Sequence, residues 1–553
     1  MKFALIALLL ATSAAHAALP RVGSSAERDY ILGRYAFSDD KLGEAARYFD
    51  AARRSNPADP TLGRRAFELA VAAGDEKLAV QLANQLTAAG QGEPTTALVR
   101  IAASLEKRDW KAVDAARPGL ADAGYAQVVG PIVEAWTLFG RDNVDAGLAR
   151  LDPTRATGFT RSYFAEQRAH MLAAAGRFTE AATAYRDLRG GSGPGINFLR
   201  IGEADALQQG GDAKAAAVVL DAVADDPIAA AARARLSAGK RIGALTRDPR
   251  SAVGWACARL ATDLARDKPV PLALIFARVA TFLSPDNSAT WLVAGDVLAR
   301  SQRIDGALTA YSQIPAGDPL FEPARARRAQ LLAGSGRDEA ALALLNAEAS
   351  GKDADATSFT RLGDFFRRSE QPAKAAEAYS RAIALAPGGK PGWSDYFLRG
   401  SSYEQAGNWA AAEPDLRKAL ALAPEEPAVL NYLGYALLDR GETLDLAQMM
   451  IQKAAKLQPD DGAITDSLGW ALFRRGKFAE AVPVLERAVA AQPGDSMINE
   501  HLGDAYWRAG RKIEARFRWR AALDLDPADK NKAALAAKLD YGLDVGPGLV
   551  AAR

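Results

Sequence analysis

The sequence predicts an all-α solenoid: a right-handed superhelix of antiparallel helix pairs, about fourteen repeats long. Three observations predict it. The pairs Leu433-Gly434, Leu468-Gly469 and Leu502-Gly503 stand 35 and 34 residues apart (469 − 434 and 503 − 469). Each is followed in turn by a glycine (Gly441, Gly476, Gly510), an alanine (Ala447, Ala481, Ala515) and a proline (Pro459, Pro493, Pro527). Between these markers the apolar residues keep a helical period, as in Ala481, Leu485 and Ala488, whose four-then-three spacing makes one buried stripe.

Each marker has a packing or turn role. The glycine after leucine and the alanine of the second helix are small because the two helices cross there at close range. Proline cannot continue a helix, so Pro459, Pro493 and Pro527 close the second helix of their pairs. Two residues on, Asp461, Asp495 and Asp529 supply N-cap acceptors for the next helix, and Asp59-Pro60 repeats that arrangement near the N-terminus. This plan is that of the tetratricopeptide repeat (TPR).

Taken in chain order, residues 1–17 read as a secretory signal: Lys2 is the basic start, Phe3 to Leu10 the apolar run, and Ala15-His16-Ala17 the cleavage site. Cleavage would leave 553 − 17 = 536 residues starting at Ala18 and place the protein in the periplasm. No cysteine stands immediately after that point, where the sequence runs Ala18-Leu19-Pro20, so no lipid anchor is expected. No later stretch reaches about 18 uninterrupted apolar residues, so no membrane span is expected either.

Residues 18–253 should form degenerate repeats. The segment 26–59 keeps Leu32, Gly33, Ala45, Phe49, Ala52 and Pro57; 162–195 keeps Ala169, Gly176, Ala181 and Tyr185; 60–93, 93–126, 127–160 and 197–230 keep only the helix-pair period. Regular repeats follow over 254–529, at 254–287, 288–321, 322–355, 356–389, 393–426, 427–461, 462–495 and 496–529. Residues 530–553 should form a capping helix, Lys530 to Asp540, and a tail. Gly190 to Gly195 and Ser237 to Pro249 are irregular connections, the second read as a boundary or flex point.

The chain has 69 Lys+Arg against 67 Asp+Glu, and no block of clustered basic excess, which argues against nucleic acid as a partner. One cysteine (Cys257) and three histidines (His16, His170, His501) are too few for a disulfide framework, a zinc site or a Cys/His relay. No GxSxG, HExxH or CxxC occurs, so neither catalysis nor a cofactor or metal is expected, and Cys257 reads as a small buried thiol.

A stack of helix pairs supplies surface. In TPR folds the concave groove is lined mainly by positions 2, 5, 9, 12 and 13 of the first helix. Here those positions are Asn431, Tyr435, Leu438 and Asp439; then Asp466, Trp470, Phe473 and Arg474; then Glu500, Asp504, Trp507 and Arg508, and all but Leu438 and Asp439 are candidate groove residues. Aromatics interleaved with charges suit the anchoring of partner side chains. The same aromatics can instead pack between repeats, and Arg474 and Arg508 can pair with acids at position 5 of neighbouring repeats. Trp291, Trp519, Tyr311 and Tyr379 fall at core positions. The clamp by which some TPR domains hold a C-terminal carboxylate needs Lys and Asn at positions 5 and 9. Those positions here hold Asn431, Asp466 and Glu500, and Tyr435, Trp470 and Asp504, so an extended partner of basic or mixed charge is expected.

Beyond the bare repeat, Leu430 to Gly441, Asp466 to Ala488 and Ile498 to Leu523 resemble the C-terminal half of a family of envelope TPR proteins of Gram-negative bacteria. The resemblance covers 254–529 well and the preceding half only as helical pairs. The family includes a TPR lipoprotein adaptor that binds a periplasmic carboxyl-terminal processing protease and helps it degrade peptidoglycan-cleaving enzymes. The resemblance implies a non-catalytic periplasmic scaffold or adaptor that binds envelope proteins or extended peptides, with a periplasmic protease among its partners. The other role in view is an assembly factor for an outer-membrane or polysaccharide-export complex. The adaptor's lipidated cysteine has no counterpart here, and the shared signatures lie largely at core positions.

Overall fold

The computed structural model describes residues 25–543, except 58, 122–123, 190–195, 224–225, 244–245, 267–270, 353 and 526–528. The expected signal over 1–17, the Gly190 to Gly195 connection, Pro527 and the last ten residues lie outside this set. Among the described residues every regular element is a helix. The chain forms two compact units, the first ending at Ala341 and the second starting at Leu342. Compaction therefore does not follow motif regularity, which changes near residue 253.

The first unit begins with six pairs: α1 (Ser25–Ser38) with α2 (Leu42–Ser55), α3 (Pro60–Ala73) with α4 (Glu76–Ala88), α5 (Pro94–Glu106) with α6 (Trp110–Ala116), α7 (Ala126–Gly140) with α8 (Val144–Arg150), α9 (Thr160–Ala174) with α10 (Phe178–Leu188), and α11 (Ile196–Gln209) with α12 (Ala213–Asp221). There follow α13 (Pro227–Ser237), the pair α14 (Pro249–Leu264) and α15 (Pro271–Leu283), the pair α16 (Ser288–Arg300) and α17 (Ile304–Ser312), and α18 (Phe321–Gly334). Helix α19 (Asp338–Ala349) contains the division. The second unit continues with α20 (Ala356–Arg368) and α21 (Pro372–Ala384), α22 (Trp393–Gln405) and α23 (Trp409–Leu422), α24 (Pro427–Asp439) and α25 (Leu444–Leu457), α26 (Gly462–Arg474) and α27 (Phe478–Ala491), α28 (Ser496–Arg508) and α29 (Lys512–Asp524), and α30 (Asp529–Tyr541).

The turn chemistry is as the sequence specifies. Asp59 accepts from the Thr61 amide at 2.8 Å, Asp461 from Ile464 at 2.9 Å, and Asp495 from Met497 at 2.9 Å, each capping a helix start. The Ser237 to Pro249 connection is not a unit boundary. It is tied back to α11, where Gln208 accepts from the Ile242 amide (2.8 Å) and Asp205 from the Gly243 amide (2.9 Å).

A simple solenoid has each repeat touching only its neighbours, and the first unit departs from that. Helix α14 packs against α5, α7 and α9, and α15 against α3 and α5, so this pair covers a wall made by the first helices of four earlier pairs. The composition of α15 explains why. Ala273, Leu274, Phe276, Ala277, Val279, Ala280, Phe282 and Leu283 are all buried, and a helix apolar on every side has to be enclosed. Arg278 of α15 goes in with them, 3% exposed, and donates its Nε–H to the Ala72 carbonyl in the last turn of α3 at 2.9 Å. The cation sits at a helix C-terminus, where the dipole favours it, while burial draws its guanidinium down to about 10. Further on, Arg303 pairs with Asp40 at 3.1 Å and stacks over the Phe37 ring, joining the α16–α17 turn to the α1–α2 turn.

The docked pair is held by a buried carboxylate. Glu166 of α9 accepts from Trp255 Nε1 at 2.7 Å, forms an ion pair with Arg259, and lies 3.6 Å from His170 Nε2; His170 Nδ1 meets the Tyr185 hydroxyl at 2.7 Å. Burial alone would raise the Glu166 carboxyl, but its bonds and opposite charges from His170, Arg259 and Trp255 outweigh that and hold it at about 2. A carboxyl lowered on folding stabilises the protein above its unfolded value and stops doing so as pH falls toward its folded value. Glu166→Gln should therefore cost about 3 kcal/mol at pH 7 and make little difference at pH 2, as read by thermal melts at the two pH values.

Candidate functional site

Six of the eight regular repeats carry glycine at the eighth position of the first helix, where the pair closes; those starting at 254 and 322 carry Ala261 and Ala329. A methyl there would lie 2.6 Å from Tyr379 at Gly363, 2.5 Å from Leu485 at Gly469 and 2.5 Å from Trp519 at Gly503, so the position stays empty for a large side chain at position 24. That residue then decides what position 9 can do. Where position 24 is aromatic, its polar atom is tied to position 9, fifteen residues earlier. Tyr311 donates to Asp296 (2.7 Å), Tyr379 to Asp364 (2.7 Å) and Trp519 to Asp504 (2.8 Å); the Tyr185 hydroxyl meets His170 in the same way. Where the crossing residue is aliphatic, as at Leu485 and at Ile451, its equivalent in a repeat one residue longer, position 9 has no such partner and faces the wall formed by first helices. Those residues are Tyr435 and Trp470.

In the second unit that wall is contiguous across α24, α26 and α28. Trp470 is the middle ring of a stack, with His501 at 4.0 Å and 13° on one face and Phe473 at 4.6 Å and 9° on the other. Both faces are thus occupied, and only the ring edge is left. His501 is itself fixed by Asp466, whose Oδ2 lies 2.8 Å from its Nδ1. Three buried polar atoms of this wall have no hydrogen-bond partner among the described residues: Asn431 Oδ1, Asp466 Oδ1 and Trp470 Nε1. Tyr435 stands beside them, its hydroxyl pushed up to about 12 by burial and by the charges of Asp466 and Asp439.

The arginine pairing differs from the sequence expectation. Arg474 pairs with Asp439 at 3.3 Å, at position 13 of the preceding repeat and not at position 5. Equal positions on successive first helices are the nearest neighbours along the stack. Arg508, also at position 13, is exposed.

Glu500, Asp504 and Trp507 are placed under the last helix. Lys538 of α30 reaches Glu500 at 2.6 Å and Asp504 at 2.7 Å, and Trp519 holds the other Asp504 oxygen. Burial raises the Asp504 carboxyl, and the Lys538 ammonium opposes this. Trp507, 8% exposed, lies 5.3 Å from Trp519 and is close enough to Gly542 to leave no room for a side chain there. The candidates that stay together on the uncovered wall are Asn431, Tyr435, Asp466, Trp470, Phe473 and Arg474. His501 and Lys538 organise the site and were not among the candidates; the spacing of 35 (501 − 466) and 34 (538 − 504) residues, one repeat, is the signal that finds them.

Among the described residues no group of His, Cys, Asp and Glu could hold a metal, and no helix is long and apolar enough to cross a membrane. Cys257 is fully buried, which pushes its thiol up to about 12 and away from reactivity at neutral pH.

Comparison with known proteins agrees with the repeat. A tetratricopeptide repeat family model matches residues 397–464 and 467–530. No curated protein matches the chain. Among solved structures, a tetratricopeptide repeat protein from Parabacteroides merdae is similar at 16% identity and a TM-score of 0.38, over 45% of this chain and 96% of that one. A thermophilic TPR protein from Thermus thermophilus gives 20% and 0.30, over 33% and 98%. An APC/C hetero-tetramer gives 14% and 0.38, over 94% and 97%. The protein is thus an all-helical chain of paired repeats whose C-terminal part consists of tetratricopeptide repeats.

Two substitutions probe the site. Gly469→Val drives a side chain into Leu485 and should destabilise the second unit by about 2 kcal/mol, read by denaturant melts. Lys538→Met leaves Glu500 and Asp504 facing each other, and should cost about 3 kcal/mol with faster hydrogen exchange along α30.

Proposed function

We propose that this chain is a non-catalytic periplasmic scaffold or adaptor that binds an extended segment of another envelope protein along α24 and α26. The observation that carries the reading is the set of three unpartnered atoms on that wall. Asn431 Oδ1 and Asp466 Oδ1 are acceptors and Trp470 Nε1 is a donor, carried by neighbouring repeats. Unpaired buried polar atoms are costly, and a strand of main chain offers both N–H and C=O to pair with them. Asp466, beside Tyr435, adds a preference for a basic or mixed sequence. The signal-like residues 1–17 support an envelope location, and the family resemblance of 254–529 supports presentation of substrates to a processing protease.

The experiment is crosslinking in intact cells, with capture of the full chain and identification of what comes with it. A processing protease together with cell-wall hydrolases is the expected catch. Pore or export subunits in their place would assign the chain to assembly of such a complex and sink the adaptor reading. Tyr435→Ala should reduce capture about tenfold, a change of about 1.4 kcal/mol, while leaving the melting curve in place. Undiminished capture by this variant would place the partner elsewhere.

A further inference from the structure

The outer face of α29 is not explained by repeat packing. Ile513 and Phe517, 72% and 71% exposed, are the two most exposed large apolar side chains among the described residues, and they stand one turn apart. Lys512, Arg516 and Arg520 are exposed on the same side of the helix. At about 100° per residue the five side chains span an arc of about 140°. Asp524 lies at the far end of that arc, one turn beyond Arg520.

Several other arginines of this unit are matched by acids. Arg399 pairs with Asp415, Arg361 with Glu348 and Arg475 with Asp445. Lys512 and Arg516 instead lie over the Trp507 ring, at 4.9 and 5.2 Å, and Arg516 Nε donates to the Leu539 carbonyl. Arg520 makes no ion pair with a described residue. From Arg508 to Arg520 the sequence has six basic residues and one acid, Glu514. The Arg516–Leu539 bond also brings the end of α30 alongside, with Tyr541 53% exposed.

We propose that this face docks on an anionic lipid bilayer surface. Ile513 and Phe517 enter the boundary between headgroups and acyl chains, and Lys512, Arg516 and Arg520 lie against the phosphates. Unmatched cations beside a protruding apolar ridge are what an interfacial helix needs, and the ridge requires no preformed cleft in its acceptor. Membrane contact would then come from the end of the stack, leaving the wall of α24 and α26 to its own partner.

The test is co-sedimentation of the full chain with vesicles of phosphatidylcholine mixed with phosphatidylglycerol, against vesicles of phosphatidylcholine alone, at low and high salt. Binding to the mixed vesicles only, weakened by salt, is expected. Ile513→Ser with Phe517→Ser, and separately Arg520→Glu, should each lower binding about tenfold without moving the melting curve, since these side chains contact little in the fold. No binding, equal binding to both vesicles, or binding untouched by either variant would overturn the proposal. So would binding to polyglutamate with the vesicles ignored, which would make the partner an acidic protein.

Discussion

The structure depends on one close approach. In six of the eight regular repeats the first helix has no side chain at its eighth position, and a large residue from the second helix occupies the space, as Tyr379 does against Gly363 and Trp519 against Gly503. The contact buries apolar area and fixes the crossing, but it has a second effect one residue along. A Tyr or Trp brings a polar atom into the core, which needs an acceptor, and Asp296, Asp364 and Asp504 are recruited to supply it. Aliphatic Ile451 and Leu485 make no such demand. Tyr435 and Trp470 are left to the wall, so the chemistry of the surface is set by which residue fills the crossing behind it.

The two units use the same kind of wall differently. In the first, α14 and α15 lie against the first helices of the early pairs, and the contact includes the buried Glu166 carboxylate and an almost fully buried Arg278. Charges so enclosed are costly to expose one partner at a time, so this arrangement reads as core. In the second unit the wall across α24 and α26 is left with unpartnered polar atoms, and α30 covers the neighbouring stretch on α28 by way of Lys538.

Much of this was legible. The Leu-Gly spacing sets the register, the Asp and Pro positions set the helix ends, and Trp519, Tyr311 and Tyr379 fall in the core as their positions imply, while Trp291 is only half-buried against it. The docking of α15 was not read, although its sequence, Leu272 to Leu283 with only Arg278 charged, is apolar on all sides and cannot sit at a surface. A repeat period describes contacts between neighbours and is silent about contacts such as Arg278 with Ala72, which lie 206 residues apart. The roles of Asp504 and Glu500 were hidden for a related reason. Position alone puts them on the wall, whereas Lys538 and Trp519 decide whether they are available. The pairing of positions 9 and 24 is visible in the sequence once the crossing is known.

The most direct measurement is a photoreactive amino acid placed in turn at Tyr435, Trp470, Asp296 and Asp364, with adducts to other proteins scored in intact cells. All four are position 9 of their repeats. Adducts are predicted from Tyr435 and Trp470, where the crossing residue behind is aliphatic, and not from Asp296 or Asp364, which are tied to Tyr311 and Tyr379. Adducts from the two aspartate positions, or none from Tyr435 and Trp470, would contradict the account.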